Sequence, residues 1–215
     1  RPIPSQAPRR RPMYLMELIP PDAPAGAALF LRWRGYHILA IPQRELIHTP
    51  RQPRFFGVGG KRRNRWETFP DCALREGREE IGEVIEGIVS APSTQLLRAD
   101  GGLETIVLQE PLRPRLIWVK RRHSSHGSMA HSQHCYYLVA YDAELKEAPA
   151  PQREIAALLY LTDAHLGHFQ GGTGLSVQRL LGLGASLHCQ PGVGLAPDAL
   201  LVPHGTVHLL IDQLG

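Results

Sequence analysis

The sequence predicts an α+β fold built on a mixed β-sheet. Strand-like runs lie on both sides of one central helical stretch, and two of the strongest runs meet at a glycine turn. The 215 residues, 43% of them hydrophobic, are enough for one substantial core. Composition removes the other classes. Apolar content is too high for a disordered chain, and the 21 Gly and 19 Pro follow no collagen-like period. No apolar stretch approaches the roughly 18 residues that a membrane helix needs, so no membrane partner is expected. Residues 1–12 carry the basic residues of a secretory leader without its apolar core. Three cysteines (Cys72, Cys135 and Cys189) are odd in number and far apart, which suits a reducing, cytoplasmic setting better than a disulfide framework.

Taken in order, residues 1–12 read as a flexible Pro- and Arg-rich tail with little to bury. A strand is expected over Tyr14–Ile19. Ala28–Arg34 and Tyr36–Ile41 flank Gly35 and read as a hairpin. Residues 43–54 look like a Pro- and Arg-containing connection, followed by a short strand, Phe55–Val58, and the pair Gly59-Gly60. From Thr68 to Ile85 the period turns helical. Thr68 with Asp71 approximates a capping box, Pro70 sits in the first turn, and Ala73, Leu74, Gly77 and Ile81 mark the inward side. Strands resume at Ile88–Ser90, Glu104–Leu108, Leu116–Val119, Cys135–Ala140 and Leu158–Leu161. A polar, His-rich connection spans 121–134. A helix starts at Thr162-Asp163, another covers Leu175–Leu183, and a terminal run covers Ala199–Leu214.

The net charge of +4 hides an asymmetry. Residues 1–66 hold 13 Lys and Arg against 3 Asp and Glu, whereas 67–215 hold 11 against 17. A basic front half suits a polyanionic partner. The sign changes inside the segment densest in chemistry, GGKRRNRWETFPDCALREGREEIG at 59–82. There Glu76, Glu79 and Glu80 fall at i, i+3 and i+4, on one face of a helix. Such carboxylates repel by a few tenths of a kcal/mol per pair, a cost that a divalent ion such as Mg²⁺ or Mn²⁺ would offset. A solvated acidic face paired to Arg75 and Arg78 is the alternative. The preceding Gly59-Gly60 and the cations Lys61, Arg62, Arg63 and Arg65 favour the metal reading: carboxylates for a metal beside cations for phosphate.

These residues resemble the box of the Nudix hydrolases, G-x5-E-x7-R-E-U-x-E-E-x-G-U, where U is a bulky aliphatic residue. Spacing from Glu67 through Arg75-Glu76 and Glu79-Glu80 to Gly82 matches throughout. Three positions depart from it. Six residues rather than five separate Gly60 from Glu67, Gly77 stands where an aliphatic is expected, and Glu83 occupies the last aliphatic position. The two substitutions are expected to weaken the packing of the helix. The resemblance implies a mixed sheet sandwiched between helices over residues 13–170, with 171–215 an extension packed on that domain or at an oligomer interface. It implies divalent-metal-dependent hydrolysis of a diphosphate bond in a nucleoside diphosphate derivative. Glu76, Glu79, Glu80 and the Gly60 carbonyl match the family's metal ligands. Glu67 and Arg75 match a pair that braces the loop against the helix, and Lys61 matches a position facing phosphate.

Physical chemistry adds the remaining roles. Lys61, Arg62, Arg63 and Arg65 would stabilise charge on the phosphates. The base would be Glu80, with Glu79 beside it, or Glu154 arriving from the later acidic loop 152–155; Glu104 and Glu110 are weaker candidates. Trp66, adjoining the box, is the most interesting of three tryptophans for ring stacking, and Cys72 reads as a small buried residue. The histidines of 121–134 are too loosely spaced to favour a Zn site. The expected partner is a small diphosphate compound. A nucleotide-binding module without turnover and an RNA-directed hydrolase stay open as alternatives, as does a homodimer.

Overall fold

The computed structural model describes residues 13–121 and 135–212; the tail of residues 1–12 and nearly all of the His-rich connection lie outside the described residues. The fold is α+β, with a large mixed sheet and helices on both of its faces. Strand β1 (Ala25–Trp33) is its axis. It pairs antiparallel with β2 (Tyr36–Pro42) through the expected hairpin, whose turn takes Arg34 and Gly35 at φ 47° and 84°. On its other side it runs parallel to β9 (Cys135–Leu145), which makes the sheet mixed. Alternate side chains of β1 enter two separate cores. Ala25, Ala27, Leu29 and Leu31 face one, and Ala28 and Phe30 face the other.

The first core lies under helix α3 (Phe69–Ile81), the predicted central helix. The Thr68 hydroxyl accepts the Asp71 N–H at 3.2 Å, and the helix ends at Gly82, which takes φ 88°. Phe69, Cys72, Ala73 and Ile81 are buried beneath it. Strand β4 (Val58–Lys61) pairs with the start of β1, setting Gly60 opposite Ala27 and delivering the box loop to the helix. The short strand expected at 55–58 is thus divided between β3 (Arg54–Phe55) and β4.

The second core is covered from the C-terminal side. Strand β10 (Ile155–Leu161), buried throughout, joins β2. Helices α4 (Asp163–Gly167), α5 (Val177–Gly182) and α6 (Thr206–Asp212) place Leu166, Leu180 and Leu210 in that core. Residues beyond 170 also extend the sheets. Strand β12 (Ser186–Cys189) pairs with β10, and β13 (Leu200–Pro203) joins β11 (Leu175–Ser176) to β3. At the far edge β8 (Leu116–Arg121) pairs with β9 and with β6 (Thr94–Leu97), which in turn pairs with β7 (Leu103–Ile106); β5 (Ile85–Val89) adds to β9.

Several expectations change. Tyr14–Ile19 is no strand: it holds a helical turn, α1 (Leu15–Leu18). Leu15 and Ile19, one turn apart, are buried, and the Leu15 N–H donates to Glu110 Oε1 at 2.8 Å. The connection at 43–54 contains α2 (Gln43–His48), held because buried Glu45 accepts two N–H groups of Arg54 at 2.9 Å. Strands β6 and β12, four residues each, give no alternation long enough to read and form because neighbouring strands offer open edges. Gly77 leaves no gap in the packing of the helix. A Cβ there would overlap Ile85 Cδ1 and come within 2.9 Å of Leu29 Cδ1, so the missing side chain is replaced by two from neighbouring strands. Glu83 lies on the surface 3.2 Å from Arg78.

Candidate active site

The site is built where β4 meets α3. Gly59 adopts φ 150°, and a Cβ on it would stand 2.5 Å from the Ala28 Cα of the paired strand, so only glycine lets the two backbones approach. A Cβ on Gly60 would sit 2.5 Å from both carboxylate oxygens of Glu76. The glycine pair thus leaves a cradle of backbone that the helix fills with carboxylates. Glu80 is the most buried of them, 8% exposed, and its Oε2 accepts the Gly59 N–H at 3.0 Å. Burial pushes its carboxyl up to about 8. The Gly59 hydrogen bond and the Arg44 charge oppose that rise, and the charges of Glu154 and Glu76 add to it.

Glu67 and Arg75, expected to brace the loop against the helix, are paired directly. Arg75 Nε donates to Glu67 Oε1 at 2.7 Å, and the Arg63 N–H donates to Glu67 Oε2 at 2.7 Å. These bonds, the Arg75 one foremost, hold Glu67 below the usual carboxylate range despite burial. Arg75 also donates to Glu76 Oε1 at 2.7 Å and to the Lys61 carbonyl at 3.0 Å, so one guanidinium ties loop, helix and carboxylate together. Cys72 lies beneath, its Sγ 3.9 Å from the Gly60 carbonyl; burial pushes its thiol up to about 11, which rules it out as a thiolate near neutral pH.

The predicted site residues do not all converge. Glu79 is shared among three arginines, with Arg63 Nη2 at 2.9 Å, Arg153 Nη1 at 3.1 Å and Arg75 Nη1 at 3.8 Å. Among the described residues no three His, Cys, Asp or Glu side chains are grouped as a metal site groups them. The four loop cations separate as well. Arg63 is paired to Glu79 and Lys61 presents its carbonyl to Arg75, whereas Arg62 and Arg65 point to the other side of the loop. There Arg62 stacks on Phe69 at 4.5 Å and donates to the Glu67 and Arg65 carbonyls at 2.9 and 2.7 Å. Glu154 is exposed, and its charge reaches Glu80. Glu104 pairs with Arg98 on the β6–β7 hairpin and Glu110 caps α1, so neither joins the cluster.

Sequence reasoning missed Arg153 and Arg44. Arg153 takes φ 48°, a left-handed conformation that costs about 1–3 kcal/mol in a residue with a side chain. Its carbonyl accepts side-chain N–H groups from Gln43 at 2.9 Å and Gln190 at 3.1 Å, which fix the turn and send the guanidinium to Glu79. The Gln152 N–H donates to the Glu80 carbonyl at 2.9 Å and locks this loop onto the end of α3. The position of Arg153 beside Glu154 in the loop 152–155 was the available signal.

No family model and no curated protein matches the chain. Among solved structures, the chain is similar to a Nudix hydrolase from Nitrosomonas europaea at 12% identity, covering 66% of this chain and 59% of that one, with a TM-score of 0.39. It is similar to a protein from Chromobacterium violaceum assigned to the same family, at 17% identity, 67% and 66% coverage and a TM-score of 0.36. A third is the E. coli ORF135 protein, at 18% identity, 67% and 77% coverage and a TM-score of 0.37. The chain spans less than two thirds of the length of the first two.

Proposed function

We propose that the protein is a hydrolase of the Nudix type, which cleaves the diphosphate bond of a nucleoside diphosphate derivative with the help of a divalent cation. One observation carries this reading: Arg75 joins Glu67, Glu76 and the Lys61 carbonyl through hydrogen bonds, and Glu80, one turn further along the same helix, accepts the Gly59 N–H of the adjoining strand. The chemistry of the donors suits a hard cation, although their side chains are not grouped around one point. Glu80 is a buried carboxylate whose charge is opposed by burial and by two other carboxylates, and all the donors are oxygens. Glu76, Glu79, Glu80 and the Gly60 carbonyl would hold Mg²⁺ or Mn²⁺. The chemistry such an ion supplies is neutralisation of the diphosphate and acidification of a bound water.

The chain's own groups do the rest. Lys61 and Arg63 draw the diphosphate to the loop and stabilise negative charge on the departing phosphate. Arg75 fixes Glu76 and Glu67 so that neither must reorganise when substrate arrives. Glu80 is the first candidate to take a proton from the attacking water, and Glu154, in the 152–155 loop, is the second.

The engagement of Glu79 by Arg63, Arg75 and Arg153 favours a second reading, a module that binds a nucleotide without turnover. A panel of nucleoside diphosphate derivatives with Mg²⁺ or Mn²⁺, run on wild type and Glu80→Gln, separates the two. Hydrolysis lost in Glu80→Gln supports the hydrolase. Tight nucleotide binding with no turnover of any compound by wild type overturns it.

A further inference from the structure

The loop 61–66 is a wall with two sides. Arg63 faces the carboxylates; Arg62, Arg65 and Trp66 line a separate cavity of about 530 Å³ between that loop, α1 and the 110–112 segment. Such a volume lies within the roughly 300–1,000 Å³ typical of small-molecule pockets. Its wall is mainly apolar. Tyr14, Met16, Trp66, Phe69, Pro111 and Leu112 contribute, and Trp66 and Met16 are 78% and 77% exposed. Four large apolar side chains left in water around one concavity mark a binding surface rather than scattered exposure. The extra residue between Gly60 and Glu67 falls in this loop. Asn64 Oδ1 accepts the N–H groups of Trp66 and Glu67 at 2.9 and 3.1 Å and so presents the indole to the cavity.

The polar groups on the wall specify the ligand's charged end. Glu67 is paired with Arg75, whose charge Glu76 and Glu79 share, and Glu110 Oε1 takes the Leu15 N–H. Arg62 is committed to two carbonyls. Arg65 stacks over the Trp66 ring at 4.6 Å and reaches Asp22, itself 81% exposed, only at 3.6 Å, which is beyond hydrogen-bond length. Its guanidinium therefore stands at the rim of an apolar cavity with N–H groups to offer an anion. We propose that this cavity is a second ligand site, taking a small molecule with an apolar body and one anionic end, on the opposite side of the loop from the carboxylates. Because Glu67 lies in its wall and Arg75 grips Glu67, occupancy would stiffen the loop that carries Lys61 and Arg63.

The test needs neither a diphosphate nor a metal, so it stands or falls apart from the hydrolase reading. Octanoate, 1-octanol and inorganic phosphate are titrated calorimetrically into the full chain, with sedimentation run alongside. Octanoate is expected to saturate one site, 1-octanol to bind more weakly, and phosphate not to bind. Met16→Asp, at an exposed position that leaves the fold intact, should weaken octanoate about tenfold by setting a charge in the apolar wall. Arg65→Ala should weaken octanoate about threefold and leave octanol unchanged. No saturable octanoate binding overturns the proposal, as does binding indifferent to both substitutions. A dimer that Met16→Asp abolishes, without octanoate uptake, assigns the face to a second copy and equally overturns it.

Discussion

Arg75 shows how much of this site rests on single residues. Its guanidinium, 17% exposed, reaches Glu67, Glu76 and the Lys61 carbonyl at once, a geometry that the compact ammonium of lysine cannot reproduce. Arg75→Lys should therefore cost about 2–4 kcal/mol, measured by urea unfolding, because two carboxylates lose their partner. A smaller loss than 1 kcal/mol would show that the brace is dispensable. Gly77 makes the opposite point. Gly77→Leu restores the residue type that the box pattern expects, yet Leu29 and Ile85 already fill its place. It should lower stability by about 1–3 kcal/mol through overpacking, seen as a reduced Tm. Arg153→Ala should free Glu79 from one of its three arginines and leave the left-handed backbone as strained as before, since alanine keeps its Cβ. In the proposed hydrolase its expected signature is altered dependence of the rate on metal concentration.

At the scale of the element, α3 was the most legible part of the chain. Its cap and its buried side follow from local rules that operate within about four residues, whereas it ends at Gly82, short of the expected Ile85, which opens β5 instead. Thr68→Ala should cost about 1 kcal/mol of stability in thermal unfolding, since the hydroxyl satisfies the Asp71 N–H. Helix α1 was misread for the converse reason. Six residues with apolar side chains at most positions fit either period, and a contact with Glu110, 95 residues away, decided between them. Strands β6 and β12 escaped notice because four residues carry too little alternation; they exist as strands through their partners β8 and β10.

The whole molecule couples these elements through long-range pairing. The C-terminal segment supplies β12 to the main sheet and, through β13, holds β3 just ahead of the box strand. Leu201, Val207, Leu210 and Ile211 bury themselves in the second core. Truncation after residue 184 should therefore abolish cooperative thermal unfolding rather than merely shift it, as followed by circular dichroism. A chain that still melts in one sharp transition would refute this. Acid response is likewise a property of the assembled fold. Burial acts to raise the Glu45 carboxyl, but the Arg54 hydrogen bonds and charge, helped by Thr49, outweigh it and leave Glu45 below its ordinary value. The stability this pair adds is present above the unfolded carboxylate pKa and disappears as pH falls through the lower folded value. Glu45→Gln should thus flatten the decline of stability with acidification below the ordinary carboxylate range, read from urea midpoints against pH.

The sequence by itself determined the α+β class, the hairpin around Gly35, the helix of the box and the face that carries Glu76, Glu79 and Glu80. Each of these follows from backbone preference and from periods that repeat within a few residues. Only the tertiary structure decided that Arg62 and Arg65 stand away from the carboxylates, that Arg153 faces Glu79, and that Gly77 is filled from β1 and β5. Only it showed Glu80 buried against Gly59. Those outcomes depend on which side of a wall a side chain meets and on what arrives from strands far along the chain. Charge counts and spacings constrain residue identity; the direction of a side chain is set by the neighbours that packing brings to it.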